Sequence, residues 1–219
     1  EKLEKYKKAD EVGVLLKKFD AISVRDANSG AIVEQLTEKK PVYNLDPVLT
    51  YDYMNCCDKI PQLRVDEKYL ILYAYAGRIS NEEADWIAAY AKKKNLKVYA
   101  IGGIQKCADR FVDCSPFEVL AYFRNAEEVI TDTFHGSIFS VITHRPFTTL
   151  IRKSVGNSYG NEEKLSDLLE RLDLADRMTA KVEDAENINE ETIDYAKVDE
   201  LLKAHREVAK EYLRSNLEG

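Results

Sequence analysis

Residues Val129-Ile130-Thr131-Asp132-Thr133-Phe134-His135-Gly136-Ser137 set a carboxylate, an imidazole and hydroxyls where an apolar run gives way to a helical pattern. A strand end that turns into a helix start presents backbone N–H groups to an anion. His135, one of three histidines in the chain, can there donate to an anionic oxygen or move a proton near neutral pH. Gly136 and Ser137 offer backbone amides at the helix start. The competing reading makes Ser137 the helix N-cap and His135 a surface loop residue. No G-x-S-x-G elbow surrounds Ser137, so it is not read as a nucleophile. Asp132 either orients His135 or caps the helix that follows.

Other residues suited to an anion also follow apolar runs. Arg25 with Asp26, Gly77-Arg78 and Gly102-Gly103 each close a predicted strand, and Arg152-Lys153 follows the last of them. A guanidinium at a strand end grips a carboxylate or phosphate, or ties two loops together by an ion pair. Glycines there let a ligand approach the backbone, or serve a turn. No G-x-G-x-x-G fingerprint is present. His144 and His205 are assigned no catalytic role.

These residues need a regular frame. The pattern predicts strands over 21–25, 41–44, 69–76, 97–101, 128–131 and 147–151. Helices are predicted over 30–36, from Ser80, from Ser115-Pro116, over 137–143 and over 161–172. Ser80 with Glu83 forms a capping signal, and Pro116 suits a first helical turn. Residues 50–67 read as a loop with a turn or two of helix, and 187–217 as one or two charged helices. Short strands alternating with helices argue for an α/β fold: a Rossmann-like parallel sheet with helices on both faces. Ligands then bind beyond the carboxyl ends of the strands, where the groups above fall.

Composition narrows the function classes. The formal net charge is -7, from 32 basic and 39 acidic residues, so no nucleic-acid partner is expected. A small anion needs only a few donors in a pocket and stays compatible. No apolar run is long enough for a transmembrane segment or a signal peptide. The opening Glu1-Lys2-Leu3-Glu4-Lys5-Tyr6 reads as a charged helix. Cys56, Cys57, Cys107 and Cys114 lack CxxC spacing, so they read as reduced thiols, and no metal site is expected.

The same residues resemble the polysaccharide pyruvyl transferase family. The resemblance rests on Ser23-Val24-Arg25-Asp26, Asp46-Pro47-Val48-Leu49, Ser115-Pro116-Phe117-Glu118 and Arg145-Pro146-Phe147, in family order. Its most specific block is Ile130-Thr131-Asp132-Thr133-Phe134-His135-Gly136-Ser137-Ile138-Phe139-Ser140. The resemblance implies two Rossmann-like domains facing across a cleft, as in GT-B glycosyltransferases, with this chain resembling the C-terminal half. It divides the chain into 1–44, the end of an N-terminal domain; 45–185, the donor-binding domain; and 186–219, a terminal helical segment packing back on the body.

The implied activity is transfer of pyruvyl from phosphoenolpyruvate to a sugar hydroxyl of a cell-surface or exopolysaccharide glycan by a longer parent, of which this chain is a fragment. His135 resembles the donor-site histidine and general acid. Arg78, Arg25, Gly136, Ser137, Asp132, Gly102, Gly103 and Lys153 would line the substrate site. No cofactor is implied beyond the donor substrate, and the acceptor is a glycan or lipid-linked sugar. The implied location is cytoplasmic, free or peripheral to the inner face of the membrane. Some family members carry an arginine two positions before the histidine, where this chain has Thr133. The alternatives are a nucleotide-sugar-dependent glycosyltransferase and a non-catalytic glycan-binding or assembly protein.

Overall fold

Residues 5–153 and 160–217 are described in the computed structural model. The charged-helix expectation for the first residues lies partly outside them. Two compact units form, one comprising the chain up to Tyr51 and again from Asp199, the other Asp52–Val198. The first unit holds α1 (Ala9–Leu16), β1 (Ser23–Val24), α2 (Ala27–Thr37), β2 (Val42–Tyr43) and α3 (Pro47–Thr50). Asp26 caps α2, accepting from the Ser29 amide at 2.7 Å and its hydroxyl at 2.9 Å. β1 and β2 pair in parallel, Ser23 opposite Val42. The unit is thus a small β-α-β arrangement.

The second unit contains α4 (Tyr53–Cys56), β3 (Tyr69–Tyr73), α5 (Asn81–Lys93), β4 (Lys97–Ile101), β5 (Arg110–Phe111), α6 (Pro116–Asn125) and β6 (Glu128–Thr131). It continues with α7 (Phe134–Ile142), β7 (Phe147–Leu150), α8 (Glu162–Arg171), β8 (Met178–Thr179) and α9 (Ala185–Glu190). The chain ends in α10 (Tyr195–Leu217), whose later residues belong to the first unit. There the Arg206 Nε donates to the Leu49 carbonyl at 2.8 Å.

All six strands of the second unit are parallel, in the order β5-β4-β3-β6-β7-β8. With β3 counted first, this is the 3-2-1-4-5-6 order of Rossmann sheets. The order reverses between β3 and β6, so the topological switch point lies where Arg78 and Asp132 leave the sheet. Residues Tyr69 to Leu72 are all buried, the continuous apolar run of a strand covered on both faces. Leu70 and Leu72 pack with Ile87 and Tyr90 of α5 and with Ile130 and Leu150. Tyr69 stacks on Tyr99 at 4.3 Å, and Tyr73 meets Phe123 of α6 edge-on at 6.0 Å. Burying each such side chain contributes on the order of 1.5–3 kcal/mol.

Helix starts follow their side chains. Ser80 with Glu83 and Ser115 with Glu118 form complete capping boxes. The start of α7 differs from the sequence expectation: α7 begins at Phe134, not at 137, because Thr133 rather than Ser137 is its N-cap. β3 ends at Tyr73, three residues short of the predicted strand. The edge strands β5 and β8 were not predicted, being two residues long with no pattern of their own. None of the four cysteines is in a disulfide. Among the described residues no helix is long and apolar enough to cross a membrane.

Candidate active site at the sheet switch point

The register sets Tyr73 beside Thr131 and Thr131 beside Thr149, so three strands end within one residue of one another. The Thr131 hydroxyl fixes the way the chain leaves. It donates to the Tyr73 carbonyl at 2.7 Å, accepts the Thr133 amide at 3.0 Å and lies 3.0 Å from the Thr133 hydroxyl. The Thr133 hydroxyl in turn accepts the Gly136 amide at 2.9 Å and caps α7. A β-carbon on Gly136 would stand 2.1 Å from the Thr131 hydroxyl and 2.7 Å from that of Thr133. Gly136 is therefore required by packing, and its N–H serves the cap instead of pointing to a ligand.

Asp132 is fully buried at the end of β6. Neither of its carboxylate oxygens has a hydrogen-bond partner among the described residues. The Arg78 Nη1, arriving from the loop after β3, stands 3.9 Å from one of them. That distance allows ion pairing but exceeds a hydrogen bond. Burial pushes the Asp132 carboxyl up to about 6, against the pull of Arg78 and Arg152, while Glu83 adds to the rise. An isolated buried carboxylate gains a proton in this way because low dielectric penalises its charged form.

The flank is a polar network. Arg152, just beyond β7, forks onto Glu83 of α5 at 2.6 and 3.2 Å. Glu83 also accepts the Ser80 amide at 2.9 Å, so one carboxylate serves both cap and ion pair. Asn161 accepts the Arg152 amide at 2.6 Å and donates to the carbonyl of Asp132 at 2.7 Å and of Leu150 at 3.2 Å. Sequence reasoning registered Glu83 only as a cap and Asn161 only as a helix start. The one available signal was that Glu83 lies in the first turn of one helix and Asn161 at the start of another.

His135 sits in the first turn of α7, half-buried. Its ring meets Phe134 edge-on at 5.7 Å and tilts against Phe139 at 6.0 Å; Phe139 stacks on Tyr73 at 6.1 Å. Aromatic packing therefore restricts the imidazole. Arg78 is oriented from below by Tyr75, its guanidinium carbon 4.5 Å from the ring centre.

The remaining predicted residues separate into positioning and peripheral groups. Gly102 (φ +85°) and Gly103 lie against the loop that carries Arg78. A β-carbon on Gly103 would fall 2.3 Å from the Ala76 amide nitrogen. Gln105 fastens the same loop by donating to the Ala74 carbonyl at 2.9 Å. Ser137 is fully buried, and its hydroxyl lies 2.8 Å from that of Thr149, turned into the helix–sheet contact. Lys153 is exposed, 3.9 Å from Glu162. Arg25 belongs to the first unit and pairs there with Asp46, the N-cap of α3. No cluster of metal-ligating side chains occurs among the described residues.

The family model described as polysaccharide pyruvyl transferase matches residues 5–154. No match is found among curated proteins. Similar solved structures include the glycotransferase of kitacinnamycin, 9% identical, with a TM-score of 0.48 and coverage of 74% of this chain and 46% of that one. Another is the glycosyltransferase SnogD from Streptomyces nogalater, 9% identical, TM-score 0.39, covering 85% and 60%. A third is the wall teichoic acid polymerase TagF, 12% identical, TM-score 0.41, covering 96% and 61%. The chain spans less than two thirds of each of these proteins.

Proposed function

Since the chain belongs to the polysaccharide pyruvyl transferase family, we propose that it carries the donor-binding half of an enzyme that transfers pyruvyl from phosphoenolpyruvate to a sugar hydroxyl of a surface glycan. The observation that carries this reading is the pairing of Arg78 with buried Asp132 at the switch point, beside the helix turn that bears His135. A parallel sheet binds its ligand at that point. A guanidinium held over Tyr75 supplies a directional grip for the donor carboxylate or phosphate. Arg152, already forked onto Glu83, contributes field more than contact.

The chemistry then follows in balanced steps. His135 in its protonated form gives a proton to the methylene carbon of the enolpyruvyl group, leaving an electrophilic carbon at C2. The sugar hydroxyl oxygen bonds to C2 and its proton passes to a base. A second hydroxyl of the sugar bonds to the same carbon as the C2–O bond to phosphate breaks; its proton leaves with the phosphate, and a ketal closes. A restrained imidazole beside a fixed cation suits the first step.

The first unit reads as part of a second Rossmann-like domain on the acceptor side. Its support is the lone parallel pair β1–β2, since two parallel strands seldom form a sheet by themselves. Saturation binding of phosphoenolpyruvate to wild type, Arg78→Ala and His135→Ala tests the donor assignment. Arg78→Ala is expected to weaken binding by about tenfold or more, and His135→Ala to abolish ketal formation with a smaller loss of affinity. Unchanged affinity in both, or a preference for a nucleoside diphosphate over phosphoenolpyruvate, would overturn it.

A further inference from the structure

The donor reading uses Asp132 only as the partner of Arg78 and leaves the state of its carboxylate unaccounted for. A carboxylate with no exposed surface and, among the described residues, no hydrogen bond to either oxygen is costly, and natural proteins seldom leave one so. Among the described residues, three charged side chains act on it. Arg78 comes from the β3 side, Arg152 from beyond β7 and Glu83 from α5; Asn161 engages only its carbonyl oxygen. On its own segment the nearest titratable residue is His135, three positions on. Arg152 is committed to Glu83 in a two-point fork. Arg78 is held to Asp132 by charge at 3.9 Å, without a hydrogen bond between them, and by the face of Tyr75.

We propose that Asp132 is an internal stand-in for the donor: an incoming anion takes the Arg78 charge from it, and Asp132 takes up a proton in exchange. Resting on the assignment of Arg78 as a donor ligand, this makes Asp132 a positioning residue that holds Arg78 at the switch point between turnovers. The direction of the coupling follows from the geometry. Loss of the Arg78 pull, together with the arrival of donor charge, removes what kept the carboxylate ionised. A neutral carboxyl then becomes a hydrogen-bond donor beside the bound anion. When product leaves, Arg78 returns and the proton is released. Binding is thus linked to uptake of a proton that comes from solvent, and the bookkeeping closes over one cycle.

The test measures phosphoenolpyruvate affinity by calorimetry from pH 5 to pH 8.5 in buffers of differing ionisation enthalpy, for wild type and Asp132→Asn. Titration of the donor phosphate is common to both proteins, so the difference between them reports the carboxyl at position 132. Wild type should take up close to one additional proton per bound donor at about pH 7.5, its affinity falling by up to about tenfold per pH unit relative to the variant. The two proteins should converge near pH 5, and Asp132→Asn should bind more tightly at pH 8. Identical pH profiles, or a variant that binds more weakly at pH 8, would overturn the proposal.

A second variant separates the outcomes. In Arg78→Met without donor, carboxyl NMR should show the Asp132 midpoint displaced upward from its wild-type value. An unmoved midpoint would refute the counter-ion pairing itself. Absence of phosphoenolpyruvate binding in all proteins would refute the donor assignment, while a displaced midpoint would still show the pairing.

Discussion

Replacing Asp132 by Asn should stabilise the second unit at neutral and alkaline pH, although it removes a buried ion-pair partner. The carboxyl is raised from its ordinary 3.8 to about 6, so the folded protein binds this proton more tightly than the unfolded chain. Stability is therefore greatest below the unfolded value and falls as pH rises from about 4 through 6, because ionisation is easier after unfolding. A displacement of about two pH units corresponds to about 3 kcal/mol at full ionisation. The attraction of Arg78 is already included in that net shift. Asn is close in shape and carries no charge, so it escapes the penalty. Trp86, the only tryptophan in the chain, stacks on Tyr90 at 5.0 Å within α5 and gives a fluorescence signal local to this unit. Urea unfolding followed there should find Asp132→Asn more stable by up to about 3 kcal/mol at pH 8, with the gap closing towards pH 4. A variant destabilised at pH 8 and less so at pH 4 would refute the reasoning, since it would mean that Arg78 more than compensates burial.

Gly136→Ala gains up to about 1 kcal/mol of helix propensity but forces a methyl group into the Thr131 and Thr133 hydroxyls. The clash wins, and the Trp86 urea transition should show a net loss of about 2 kcal/mol. Ser137→Ala strips the fully buried Thr149 hydroxyl of its partner and should cost about 1–2 kcal/mol. Phosphoenolpyruvate affinity should stay within about twofold of wild type, and a larger loss measured by calorimetry would return Ser137 to the donor contacts. Gly103→Ala pushes the Tyr75–Ala76 backbone away and with it Arg78, so the dissociation constant should rise about tenfold while a folded circular-dichroism spectrum persists.

Much of this frame was legible because the local signals were strong. β4 and β6 were bounded to the residue, since each is an apolar run between polar punctuation. α5 was marked by a capping box that the structure contains in full. The start of α7 was displaced because Thr133 and Ser137 are both acceptable caps. The choice between them is made by Thr131, whose hydroxyl binds both the Tyr73 carbonyl and the Thr133 amide. That preference is tertiary and invisible to a pattern along the chain. The same holds for the site. His135, Arg78 and Asp132 were legible as strand-end groups, whereas the linking of Arg152 to Glu83, 69 positions away in sequence, depends on the order of strands in the sheet.

Thr133 bears on how the donor charge is met. At this position the hydroxyl accepts the Gly136 amide and touches the Thr131 hydroxyl in a space with 3% exposure. An arginine has only donors and could not cap the helix in this way. A cation reaching the switch point must then come from another strand end, and Arg78 on the β3 side comes closest to the Asp132 carboxylate. On the proposed reading, the threonine keeps the turn tight while Arg78 carries the charge, and Asp132 holds that charge in place. Thr133→Arg would therefore not restore a missing donor ligand. It should unseat the α7 cap, lower stability by about 2 kcal/mol or more, and weaken phosphoenolpyruvate binding by disturbing His135. Tighter binding by a fully folded Thr133→Arg protein would show that the charge belongs at position 133 after all.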